Sequence, residues 1–280
     1  MRSTPRWTTA LAGAVVLGVL VLGALGASWY AGGGRWFVTS TPSMGTAMPV
    51  GTLLLTRPTT VADTEVGDVV TFRSPGSGAV FTHRVVRVGA HGLRTRGDVN
   101  GARDSWRLTD DDLVGGVAWS VPVLGWLVRA VPPLVACLAL VCLLTRATRD
   151  PARRRSWRVL GASVVVAGVG WWLSPWVGMA RLGEAAVADG EEGVLLQVVS
   201  TGLLPIEVRE TGGDARAHLL DGQVGELHLT AGAERGAYGV DAVLDLPWWG
   251  WTLLGLACLG PLVVSVALGT PVPEDEPAHG

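Results

Sequence analysis

Lysine is absent from this chain; all 22 basic residues are arginine. Whatever chemistry the protein performs, a lysine amine is neither its base nor its nucleophile. Charge of either sign is scarce. Charged residues make up 16% of 280 positions and hydrophobic ones 49%, whereas an ordinary soluble domain carries about a quarter charged. The shortfall points to a membrane. A net charge of −2 with no basic stripe gives no reason to expect nucleic acid as a partner. Only three cysteines occur, Cys137, Cys142 and Cys258, each in an apolar run. They read as small hydrophobes rather than disulfides or zinc ligands. No metal and no cofactor is expected, and long repeats and low-complexity tracts are missing too.

Four apolar stretches are present: Trp7–Gly34, Ala130–Thr145, Val159–Ala180 and Leu246–Pro273. A helix needs about 20 apolar residues to cross the hydrocarbon core. The first, third and fourth satisfy this. The second, about 16 residues and roughly 24 Å long, requires Arg129 to snorkel at its boundary. Trp29, Tyr30, Trp126, Trp157, Trp176, Trp248, Trp249 and Trp251 cluster at the ends of the stretches, as in interfacial belts. Ala24-Leu25-Gly26 offers a small-x-small cleavage site, but the first run exceeds a signal h-region and reads as an uncleaved anchor.

Residues Thr145–Arg158 hold six arginines and one aspartate, which places them in the cytoplasm, as do Arg2 and Arg6 for the N-terminus. The expected layout is a cytoplasmic N-terminus (1–7), an anchor (8–30), an outer domain (35–128), a helix (129–145) and a cytoplasmic Arg-rich loop (146–158). A third helix (159–180), a second outer piece (181–245), a fourth helix (247–270) and a cytoplasmic tail (271–280) complete it. The chain is thus expected in the cell membrane as a multi-pass protein.

The outer domain reads as strand-rich. Residues 52–58, 68–75, 79–88 and 113–121 are β-branched runs bounded by turn material at 74–78 and 89–92. Residues 193–210 and 225–232 suggest more strands in the second piece. The fold class expected is a mostly-β extracytoplasmic catalytic domain anchored by about four transmembrane α-helices, plus a small second β-rich extracytoplasmic segment.

Nucleophilic catalysis on a carbonyl needs a hydroxyl, a base, a group orienting the base, and donors for the oxyanion. With lysine absent, the base candidates in the first outer domain are His83 and His91. His91 lies in a Gly-Ala-His-Gly turn where exposure explains it. His83 lies within a strand-like run, and taken alone it reads as structural. Ser43 follows the first span closely, and Asp98 and Asp104 occupy a Gly- and Asn-rich loop where turn chemistry is the simpler reading. His218 and His228, in the second piece, have no nucleophile or carboxylate at useful spacing and read as polar strand residues.

Taken in order, Thr41–Gly51, Gly67–Phe72, Thr82–Val86, Thr95–Asn100 with Asp104, and Ser120–Trp126 resemble type I signal peptidases of the Ser-His branch, found in the endoplasmic reticulum, archaea and some Gram-positive bacteria. The likeness covers residues 35–128. It implies Ser43 as nucleophile and His83 as general base, in the place where most bacterial relatives use lysine. It further implies Asp104, or else Asp98, as the group orienting the base, and the Ser43 N–H with the Thr41 hydroxyl as oxyanion donors. Its implied partners are signal-peptide-bearing preproteins, the lipid bilayer and the export machinery, with cleavage after small residues. The chain departs from the family pattern at Pro42, at Gly45-Thr46 and at Arg96, each of which keeps the reacting groups. Two other functions fit less of the sequence: a non-catalytic membrane scaffold, and a Ser-His protease for other envelope substrates.

Overall fold

In the computed structural model, residues 6–173, 175–186, 193–230 and 239–269 are described. Arg2, the tail expected at 271–280 and parts of the second outer piece (187–192 and 231–238) lie outside them. The chain forms two compact units, Met1–Thr39 with Leu53–Val121, and Ser40–Thr52 with Pro122–Gly280.

In the first unit, helix α1 (Arg6–Ala31) leads into a six-stranded antiparallel sheet. Its strands are β1 (Arg35–Val38), β2 (Leu53–Arg57), β3 (Val69–Arg73), β4 (Val80–Gly89), β5 (Gly92–Arg96) and β6 (Leu113–Val121), in the order β1-β2-β6-β3-β4-β5. The β-branched runs become strands because their alternate side chains find a core. Val70 and Phe72 from β3, Val85 from β4, Leu93 from β5 and Leu108 are buried together, with Val61, Phe81, Trp106 and Leu113 packed against them. Between Val70 and Phe72, buried Thr71 turns to the other face, where its hydroxyl lies 2.8 Å from that of Thr82. At the end of α1 the aromatic residues work as fasteners. The Trp29 indole N–H donates to the Arg35 carbonyl at 3.3 Å, and Arg35 and Arg57 lie over the Tyr30 and Trp29 rings.

The second unit contains α2 (Leu124–Leu144), α3 (Pro151–Leu173) and α4 (Trp248–Gly269) with a small β-sandwich between α3 and α4 in sequence. Among the described residues, Leu124–Ala147 and Pro151–Leu173 are long and apolar enough to cross a membrane. The helix limits differ from those read off hydropathy. α2 begins five residues before 129, so Arg129 lies within the helix, 5.7 Å from the Trp126 ring, rather than at its boundary. α3 begins at Pro151, inside the expected loop 146–158. Asp150 accepts the Ala152 N–H at 2.9 Å, and proline at the first helical position costs no hydrogen bond. Arg154 donates to the Thr148 carbonyl and Arg158 to the Thr145 hydroxyl, so cations of α3 cover the carbonyl end of α2. α3 ends at Leu173, two residues before Pro175, and Met179 already opens a strand.

The sandwich comprises β7 (Met179–Ala186), β8 (Val194–Ser200), β9 (Ile206–Glu210), β10 (Arg216–Leu219), β11 (Val224–Leu229) and β12 (Val240–Leu244). Its two antiparallel sheets are β11-β8-β7 and β10-β9-β12. Leu196, Val198, Leu227 and Leu229 from one sheet pack on Ile206, Val208, Leu219 and Val240 from the other. The period of two in these positions is what buries one face of each sheet.

Candidate active site

His83 stands on β4, opposite Val70 of β3, two residues along from the Phe72–Phe81 pair. Directly opposed residues share a sheet face, so the imidazole emerges on the apolar side. Its ring lies 5.9 Å from Phe72 and 5.8 Å from Phe81 and is 3% exposed. A polar ring buried there needs a partner, and His83 Nδ1 lies 2.7 Å from Asp104 Oδ2. The same oxygen accepts the Thr95 hydroxyl at 2.6 Å, while the Asp104 N–H donates to the Thr95 carbonyl at 2.9 Å.

The loop after β5 delivers Asp104 by folding back along that strand. Leu93 and Leu108 exchange backbone hydrogen bonds of 2.8 and 3.0 Å. Gly92, at φ +117, has its Cα face against the Leu108 carbonyl, where any side chain would collide. Asp98 goes elsewhere. It grips Arg84 with both oxygens, at 2.9 and 2.7 Å, and these bonds hold the guanidinium above its ordinary pKa. Arg84 also donates to the Gly67 carbonyl. Asp98 therefore ties the loop to β4, and Asp104 is the aspartate at the histidine.

Ser43 belongs to the second unit, in the fourteen-residue connection between β1 and β2. The Gly45 N–H donates to the Pro42 carbonyl at 2.8 Å, so Ser43 and Met44 occupy the corners of a tight turn, and Met44 is 2% exposed. Thr41 Oγ1 is 3.4 Å from Ser43 Oγ. At its far end the segment is fastened to α2: the Trp126 indole N–H donates to the Val50 carbonyl at 3.1 Å, and the ring covers Gly51 so closely that a Cβ there would overlap it.

No protein-family model matches the chain, and no curated protein is significantly similar to it.

His91 is exposed in the β4–β5 turn. His218 has a carboxylate partner that its sequence neighbourhood does not reveal: Asp245 Oδ2 lies 2.7 Å from its Nδ1, because β10 and β12 both pair with β9. This second His–Asp pair is open to solvent, with side chains 65% and 43% exposed. His83–Asp104 is buried. Thr95 is a residue that sequence reasoning missed: it lies nine positions from Asp104, and no local pattern links the two. Among the described residues, no group of three or more His, Cys, Asp or Glu side chains is arranged to hold a metal.

Proposed function

We propose that the protein is a multi-pass membrane serine endopeptidase that removes signal peptides from exported preproteins, with Ser43 as nucleophile, His83 as general base and Asp104 as the group orienting that base. The observation that carries this reading is the buried Thr95–Asp104–His83 chain. An ionised carboxylate only accepts hydrogen bonds. Asp104 therefore keeps the proton on Nδ1 and leaves Nε2 as the basic nitrogen. That tautomer is the one a serine-activating histidine needs.

In the proposed reaction Ser43 Oγ attacks the scissile carbonyl while His83 Nε2 takes its proton. The Ser43 N–H and the Thr41 hydroxyl receive the developing oxyanion. His83 then protonates the departing amine, the C–N bond breaks, and an acyl-Ser43 ester remains. Water, deprotonated by His83, attacks this ester and releases the signal peptide. Small residues before the cut suit shallow pockets that reject larger ones by steric clash. The membrane assignment is supported by α2 and α3, the two described helices long and apolar enough to cross a bilayer, and by the apolar runs Trp7–Gly34 and Leu246–Pro273 in the sequence. The outward placement of both β modules is argued from the arginines between α2 and α3. The export machinery and the bilayer are then natural partners.

The direct test is mass spectrometry of a preprotein's new N-terminus after incubation with the full-length protein in detergent. Wild type should yield the mature N-terminus, while Ser43→Ala and His83→Ala yield intact precursor. Equal processing by both variants rejects the proposal.

A further inference from the structure

The small sandwich touches the segment that carries Ser43, within one compact unit. The contact is the turn Leu220–Gln223, which joins β10 to β11. Gly222 is buried, and a Cβ built on it would stand 2.6 Å from the Gly45 carbonyl oxygen and 3.0 Å from Thr46 Cα. Only a hydrogen fits in that space, and the φ of +72 at Gly222 excludes side chains a second time. Backbone lies against backbone here, one residue beyond the Ser43–Met44 turn.

Both sides of the contact are built differently. The sandwich side is rigid. The Gly222 N–H donates to the Ser200 carbonyl and the Ser200 N–H donates to the Gln223 carbonyl, at 3.1 and 3.0 Å, which locks the turn to the end of β8. Within the turn the Gln223 N–H reaches the Leu220 carbonyl, and the Leu220 N–H reaches Gln223 Oε1. The Ser43 side is a short 3-10 turn, Gly45–Ala47, whose N-terminus has no side-chain cap and whose first residue is a glycine at φ +52. Three residues of that kind have little stability of their own. One further observation marks the turn as more than a connection. Asp221 Oδ1 is buried and has no hydrogen-bond partner among the described residues, and burial pushes the carboxyl up to about 6. A tight turn built for stability alone would not place a carboxylate there.

We infer that the β10–β11 turn is a brace for the nucleophile segment, with Gly222 as a positioning residue that fixes where the Ser43 oxygen and N–H stand. The inference rests on the proposed function and gives the second β module a part in it. Without the brace the Gly45–Ala47 turn shifts and Ser43 attacks from a poorer position, which reduces the chemical step and leaves substrate binding intact.

The test compares Gly222→Ala with Gly212→Ala in the full-length protein. Gly212, at φ +85 in the β9–β10 turn, has no described residue within 4 Å of where a Cβ would stand. The control therefore imposes similar backbone strain on the same module with no clash against residues 45–46. A fluorophosphonate that reacts with activated serines reports two things: its labelling amplitude counts folded sites, and its rate constant reports how Ser43 is placed. Gly222→Ala is expected to keep the amplitude of Gly212→Ala, lose about ten-fold in labelling rate and in kcat for a preprotein, and hold KM within about two-fold. Rates equal to those of Gly212→Ala overturn the inference. If Gly222→Ala does not fold, Gln223→Ala serves, since it removes the Leu220 N–H acceptor and adds no atom at the contact. It should slow labelling about three-fold, and a wild-type rate rejects the brace. A wild type that neither cuts the preprotein nor labels at Ser43 rejects the proposed function itself, a different result from either of these.

Discussion

Asp98 and Asp104 sit six residues apart in one loop, and their different partners give them different predicted phenotypes. Asp104 shares its Oδ2 between His83 and Thr95 in a buried setting. Asp104→Asn places an amide opposite Nδ1, which favours the wrong tautomer, so kcat should fall roughly 10³- to 10⁴-fold. Asp98→Asn weakens a partly exposed ion pair with Arg84. It should cost about 0.5–1 kcal/mol of stability and leave kcat close to wild type. Parallel kcat and thermal-unfolding measurements on the two variants separate the roles, and a catalytic loss in Asp98→Asn matching that in Asp104→Asn would contradict them. Read alone, His83 is a structural strand residue and both aspartates are turn residues; what singles them out in the sequence is the resemblance to the Ser-His signal peptidases, which leaves Asp104 and Asp98 as alternatives. The choice between the aspartates was not local. It depends on the Leu93–Leu108 bridge, which brings position 104, not 98, to His83.

Element boundaries were legible where turn residues bracketed a run and misleading where hydropathy and charge were followed past a helix cap. Runs 52–58, 68–75 and 113–121 contain β2, β3 and β6, and run 79–88 contains all of β4 but Gly89, because each is bracketed by turn residues. The start of α3 was missed: charge pattern made 146–158 a loop, whereas Asp150-Pro151 is an N-cap followed by proline at the first helical position. The Gly45-Thr46 departure from the Ser-His pattern has a structural counterpart of the same kind, since these are the residues Gly222 touches. The turn that makes this contact also has a pH signature. Burial pushes Asp221 up to about 6, while a carboxyl in the unfolded chain titrates near about 4. The folded state therefore holds the proton more tightly, and stability falls as pH rises from about 4 to about 6 and stays lowered above that. Asp221→Asn, neutral throughout, should raise Tm above pH 6 and leave it unchanged below pH 4. A Tm difference independent of pH would show that Asp221 does not titrate as its burial implies.

At the scale of the whole chain, α2 and α3 form a helical hairpin. The connection Thr148–Asp150 is short enough to require antiparallel neighbours, and Gly161 of α3 packs against Val141 of α2. α2, at 21 residues, spans about 31 Å, and α3 is longer. If both cross the bilayer, the end of β6 and the start of β7 emerge on one face and the bend on the other. Arg146, Arg149, Arg153, Arg154, Arg155 and Arg158 surround the bend, so the bend should be cytoplasmic and the sandwich external. Single cysteines test this in a chain carrying Cys137→Ala, Cys142→Ala and Cys258→Ala. Asp214→Cys, in an exposed turn of the sandwich, should react with a membrane-impermeant maleimide on intact cells. Thr148→Cys should react only after permeabilisation. The reverse pattern would place the sandwich, and with it the Ser43 segment it touches, in the cytoplasm, where no signal peptide emerges for cleavage, and the proposed function would fail together with the topology.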